Sequence, residues 1–153
     1  MKKKLISIIL IIILVIVGLM VFYQHNDSKN QIKVGATSFT LPEGFYQGSM
    51  NDANDYNITN GYDTLFLKEC GNKNISKYIN EYKNYKNRGT DNKSVILNNF
   101  TVNKIVVFKS TIVNESSNFH YWFNYNNKTY SIYTLNGNSN SDNIVKNILN
   151  SLN

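Results

Sequence analysis

Residues Ser94 to Leu135 read SVILNNFTVNKIVVFKSTIVNESSNFHYWFNYNNKTYSIYTL, and this stretch decides the fold. It divides into four β-rich runs, SVILNNFTV, KIVVFKSTIV, NFHYWFNY and KTYSIYTL. β-Branched and aromatic residues dominate each run, and such side chains fit a pleated, half-buried surface. Asn114–Ser117 and Asn126-Asn127 read as turns between runs. Strands joined this closely pair mostly antiparallel. The KIVVF start is apolar on both faces, as a central strand is.

Upstream, the pattern changes period. Ile75, Tyr78, Ile79, Tyr82 and Tyr85 recur at three and four residues, which predicts one amphipathic helix over 74–88. Asn74 caps its start and Gly89 supplies a left-handed stop. Its tyrosine stripe reads as packing on a sheet, with the hydroxyls at the edge. Further upstream, Ile32–Leu41 (IKVGATSFTL) reads as a strand and Pro42-Glu43-Gly44 as a turn. Gln47–Asp55 is a polar loop. YNIT and YDTLFLKEC flank Asn60-Gly61, a strong hairpin signal. Downstream, Ser139 stands three residues before Asp142 and resembles a capping box. Ile144, Val145, Ile148, Leu149 and Leu152 then make the apolar face of a final helix. A strand, a hairpin, a helix, four strands and a helix give an α+β fold: a mostly antiparallel sheet packed by two helices.

The N-terminus is of another kind. Lys2, Lys3 and Lys4 precede LISIILIIILVIVGLMVFY, Leu5 to Tyr23, which carries no charge. As a helix it extends about 28 Å, close to the thickness of a bilayer's hydrocarbon core. The run is longer than the apolar region of a cleaved secretory signal, and no small-residue cleavage site follows it. It reads as an uncleaved transmembrane anchor, a signal-anchor. The lysine flank places the N-terminus in the cytoplasm and the rest of the chain outside. The expected organisation is 1–23 flank and anchor, 24–31 tether and 32–153 extracytoplasmic domain. The expected partner of residues 5–23 is the lipid bilayer.

Charge narrows the partners further. Without Lys2, Lys3 and Lys4 the formal charge falls from +6 to +3, and no basic cluster remains. A nucleic-acid partner needs such a cluster, so none is expected. Asparagine is unusually frequent. N-x-[S/T] triplets begin at Asn26, Asn57, Asn74, Asn92, Asn99, Asn114 and Asn127, and an external domain could carry glycans there.

Little catalytic chemistry is visible. Cys70 is the only cysteine, which excludes a disulfide framework. Cys70 and His120 are the one conceivable thiol–imidazole pair, although a free cysteine is more often a small buried hydrophobe. Asn51–Asp55 is rich in oxygen ligands, but a calcium loop counted from Asp52 would have Asn57 where it needs glycine. No metal site, cofactor or catalytic residue is expected. The best interaction candidates are aromatic: Tyr121, Trp122, Phe123, Tyr125 and Tyr133. Flat rings left exposed on one strand face would suit a carbohydrate or protein contact.

FTLPEGF at Phe39–Phe45, the hairpin, the helix before the long strand run and DNIVKNILNSL at Asp142–Leu152 together resemble the PsbP-like fold. That fold includes small secreted or membrane-tethered domains of bacteria and archaea. The asparagine-rich domain and isoleucine-rich anchor are similar to small anchored proteins of methanogenic archaea. The resemblance implies an accessory or binding role without catalysis. It assigns no functional residues. An envelope protein or cell-wall polymer is the further partner expected of an outward-facing domain. The alternatives are a cell-surface ligand or carbohydrate receptor using the aromatic strand face, and a thiol enzyme using Cys70 and His120.

Overall fold

The computed structural model describes residues 11–20, 30–51, 53, 55–86, 95–112 and 115–152, without the side chains of 115–117. Residues 11–20 form a helix, α1, in which every residue is apolar and exposed. No helix among the described residues is long and apolar enough to cross a membrane. The expected span, Leu5–Tyr23, runs past the described residues at both ends.

Seven strands make one sheet: β3 (Tyr46–Gln47), β4 (Tyr56–Thr59), β5 (Thr64–Asn72), β6 (Val95–Val102), β7 (Ile105–Ile112), β8 (Glu115–Tyr125) and β9 (Lys128–Thr134). Their spatial order is β3-β4-β5-β9-β8-β7-β6, and every pairing is antiparallel. The chain leaves β5 through helix α2 (Ile75–Lys86), resumes at the far edge as β6, and winds back strand by strand to β5.

Two tight turns build that return. Val102 pairs with Ile105 across Asn103-Lys104, and Tyr125 pairs with Lys128 across Asn126-Asn127. All four turn residues have positive φ, the type I′ geometry whose twist matches that of the flanking strands. Asparagine tolerates this region better than most residues. The Asn60-Gly61 hairpin also forms, with a four-residue loop closed by Thr59 and Thr64. Asn60 Oδ1 accepts the amides of Tyr62 and Asp63 inside it.

Several boundaries differ from expectation. Ile32–Leu41 is not one strand but a separate hairpin, β1 (Gln31–Val34) and β2 (Thr37–Thr40). Gly35, at φ 61°, turns the chain, and the alternating Ile32, Val34, Thr37 and Phe39 all face inward. β8 begins at Glu115, inside the stretch expected to be a turn, because Ile112 pairs with Glu115 through a bulge. Helix α3 (Ser141–Asn150) starts after Asn140, which makes no side-chain cap, so Ser139 does not open a capping box. Asp142 faces the sheet instead. Asn74 does cap α2, its Oδ1 accepting the Lys77 amide at 3.2 Å. The expected stop at Gly89 lies outside the described residues.

The two helices cover opposite faces of the sheet. On one face, α3 and the β1–β2 hairpin enclose the main core: Leu65, Leu67, Val107, Tyr121, Phe123, Tyr130 and Ile132 below, with Phe39, Val145, Ile148 and Leu149 above. Phe39 meets Tyr130 edge-on at 5.4 Å, and the Thr37 and Tyr130 hydroxyls hydrogen-bond at 2.8 Å. Ser151 Oγ accepts the Thr40 amide and ties the end of α3 to the hairpin. On the other face lies α2, which fully buries only Ile79 and leaves Tyr85 exposed.

Candidate functional site

β8 lies between β9 and β7, and layers cover both of its faces. Its alternating side chains therefore enter two different interiors. Tyr121 and Phe123 are wholly buried in the main core, and Trp122 is 2% exposed on the α2 side. Tyr125 packs against the core margin. The exposed aromatic platform expected on this strand is not there, because the rings serve as core. Of the five candidates, the half-buried Tyr133 borders a groove beside α2, and the half-buried Tyr125 borders a polar depression at the Asn126-Asn127 turn.

The polar tip of Tyr121 has a partner. The Tyr121 hydroxyl donates to Asp142 Oδ1 at 2.7 Å, and Lys109 Nζ lies 2.8 Å from the same oxygen. Lys109 also sits over the Phe119 ring, 4.1 Å from its centroid. Burial alone would raise the Asp142 pKa. The hydrogen bonds from Lys109 and Tyr121, with the Lys109 and Lys146 charges, outweigh it and hold the carboxyl below its usual value. The cluster pins the first turn of α3 to the sheet.

His120 belongs to an aromatic stack on the α2 side. Its ring lies parallel to Trp122 with centroids 4.1 Å apart, 5.4 Å from Tyr133, and tilted beneath Tyr82 at 4.8 Å. Its Nε2 is buried without a hydrogen-bond partner. Burial, and then the Lys86 charge, push the imidazole pKa down from 6.5 to about 3, so the ring is neutral at physiological pH.

Cys70 occupies the bulge of β5, between Glu69 and Gly71. Burial pushes its thiol pKa up, against a hydrogen bond with Ser131 that lowers it. A nucleophilic thiolate–imidazolium pair needs the opposite shift in each partner. Here the thiol is held protonated and the imidazole neutral.

Above His120 opens a groove of about 450 Å³ bordered by Tyr82, Tyr85, Lys86, Phe119, Tyr133 and Leu135. Tyr85 is 69% exposed and Leu135 54%, so apolar surface meets solvent here. Lys86 Nζ sits 5.6 Å from the Tyr82 ring and 5.8 Å from the Tyr85 ring. Among the described residues, no carboxylate borders the groove. Sequence reading found Tyr82 and Tyr85 as a helical stripe but not their meeting with the ends of β8 and β9. That meeting depends on which face α2 covers.

A second polar cluster was also missed. Asp55, 4% exposed, accepts the Tyr133 hydroxyl at 2.8 Å, and Lys68 Nζ lies 3.1 Å from its other oxygen. Asn51 Nδ2 donates to the Tyr133 hydroxyl at 2.9 Å, while Asn51 Oδ1 accepts the amides of Ala53 and Asp55. Asn51 and Asp55 thus close their own loop. Among the described residues, no cluster of three or more His, Cys, Asp or Glu could hold a metal ion. The sequence marked Asn51–Asp55 as oxygen-rich but gave no sign of its meeting with Tyr133 and Lys68.

The architecture defines an α+β protein: one antiparallel sheet with a helix on each face and a small hairpin capping one of them. No family model, curated protein or solved structure matches the chain.

Proposed function

We propose that this chain is a membrane-anchored extracytoplasmic domain of PsbP-like architecture, with an accessory or binding role and no catalytic activity. The observation that carries the reading is α1: ten consecutive apolar residues, each exposed along the helix. Ile11 to Val17, Leu19 and Met20 keep 47–63% of their surface open, while the sheet domain has a closed core of its own. A soluble protein rarely leaves such a patch uncovered, and a bilayer covers it at no cost. The three preceding lysines support an inward N-terminus. The opposed shifts of Cys70 and His120 favour binding over thiol chemistry.

Fractionation tests the anchor. The full chain should sediment with membranes and resist alkaline extraction, and deleting residues 1–23 should release it. Protease added to intact cells should digest the domain. A full chain that stays in the soluble fraction, or a domain protected from external protease, would refute the reading.

The groove supports a second reading, a receptor for a cell-wall polymer or other carbohydrate. The exposed ring of Tyr85 would stack on a sugar, and Lys86 would attract an acidic group. Titration with soluble wall polysaccharide should change Trp122 fluorescence through the His120 stack. Tyr85→Ala should abolish the change, and an unresponsive wild-type protein would reject the groove as that site.

A further inference from the structure

The free edge of β6 carries an inference independent of the anchor and the groove. β6 is the last strand of the sheet and pairs with β7 over its whole length, Val95 with Ile112 through Val102 with Ile105. Among the described residues nothing pairs with its other edge. The opposite edge of the sheet, β3, is only two residues long. Natural edges are usually shortened, bulged, charged or broken by proline to prevent pairing. β6 reads VILNNFTV, with no charge, proline, glycine or bulge.

The backbone phase shows what this edge accepts. A two-residue turn is closed by a hydrogen-bonded pair, here Val102 with Ile105, so the amides and carbonyls of Val102, Phe100, Asn98 and Ile96 point at β7. Those of Val95, Leu97, Asn99 and Thr101 point outward. These four are placed symmetrically about Asn98. A second copy related by a two-fold axis at Asn98 would pair Val95 with Thr101 and Leu97 with Asn99, twice each. Every outward backbone group of the strand is then satisfied. A two-fold axis normal to the sheet keeps each face continuous, and the intervening pairs bring Ile96 against Phe100 of the second copy. Ile96 is 49% exposed in the single chain, and Phe100 is partly buried on the face that carries α3. No like charges meet along the strand.

We propose that the chain forms a two-fold symmetric dimer by antiparallel pairing of β6 with β6 of a second copy, centred on Asn98, making one continuous fourteen-stranded sheet. An isologous contact of this kind is self-limiting: it uses the one long edge and leaves only the short β3 edges outside.

Asn98 sits opposite itself in a non-hydrogen-bonded pair, where Cα atoms approach to about 4.5 Å, within disulfide reach. In the full chain with Cys70→Ser, held in detergent micelles, Asn98→Cys should cross-link into dimers under mild oxidation. Ile96→Cys, facing Phe100, should not. Asn98→Lys places like charges opposite each other at an exposed position. It should weaken the dimer measured by sedimentation roughly fivefold, with an unchanged circular dichroism spectrum. A monomeric wild type, equal cross-linking at the two positions, or a dimer indifferent to Asn98→Lys would overturn the proposal. The last result would assign association to the apolar N-terminal segment.

Discussion

Acid should weaken this fold through one imidazole. His120 is neutral in the native stack because burial and Lys86 hold its pKa near 3, against 6.5 for a free histidine. Between those values the unfolded chain binds a proton that the native chain refuses. Stability therefore falls as pH drops through 6.5, and the loss levels off near 3. The slope approaches about 1.4 kcal/mol per pH unit, so going from about pH 7.5 to about pH 5 should cost about 2 kcal/mol. Asp142 does not confuse this window: its carboxyl lies below the usual value and loses its stabilising contacts only in stronger acid. Urea unfolding at the two pH values reads the effect. Trp122, the only tryptophan and stacked on His120, gives the fluorescence, and circular dichroism gives an independent transition. His120→Phe keeps a flat ring in the stack and removes both the titration and the unpartnered Nε2, so the pH difference should vanish. Equal wild-type stability at both pH values, or a pH dependence that survives His120→Phe, would refute the reasoning.

Other positions give separate tests. Tyr121→Phe removes the hydroxyl that holds Asp142 at the start of α3; because Asp142 is partly exposed, the loss should be about 1 kcal/mol in urea unfolding. Asp55→Ala should cost about 2 kcal/mol, since the Tyr133 hydroxyl loses its acceptor and Lys68 its ion-pair partner; Asp55→Asn, which can still accept from Tyr133, should cost less in the same assay. Gly71→Ala forces a side chain into φ 134° and places its Cβ 2.6 Å from the Tyr78 hydroxyl, so thermal unfolding should show a loss of about 1–3 kcal/mol.

The elements were legible where period and turn chemistry agreed. The four strands from Val95 to Thr134 follow from alternation and from Asn-rich breaks, and α3 follows from Ile144, Val145, Ile148 and Leu149, all of them buried. Layering was harder to read. An apolar stripe shows that a helix covers something, not which face it covers. Alternation along FHYWF likewise shows that two faces exist, not that both are closed. That ambiguity made Tyr121, Trp122 and Phe123 look available to a ligand, whereas the sheet buries all three. The β1–β2 hairpin was hidden for a related reason: Gly35-Ala36 is too short a break to interrupt a β-branched run, yet a single positive φ there reverses the chain. The Asp55 and Asp142 clusters join residues far apart in sequence, Tyr133 with Asp55 and Tyr121 with Asp142, and pairing at that range leaves no local pattern.

The unequal covering of the two sheet faces sets the order in which the molecule should come apart. Four aliphatic side chains of α3 are sealed into the core, while α2 seals only Ile79. At about 1.5–3 kcal/mol for each buried side chain, detaching α2 is several kcal/mol easier than detaching α3. Such layers open as local units, ahead of global unfolding. Amide exchange in α2 should then outpace exchange in β8 and β9, whose ladder bonds stay intact when the helix lifts. The sole tryptophan, lying under the looser layer, would register that first event, while Tyr121 and Phe123 on the reverse of the same strand would remain in a dry interior.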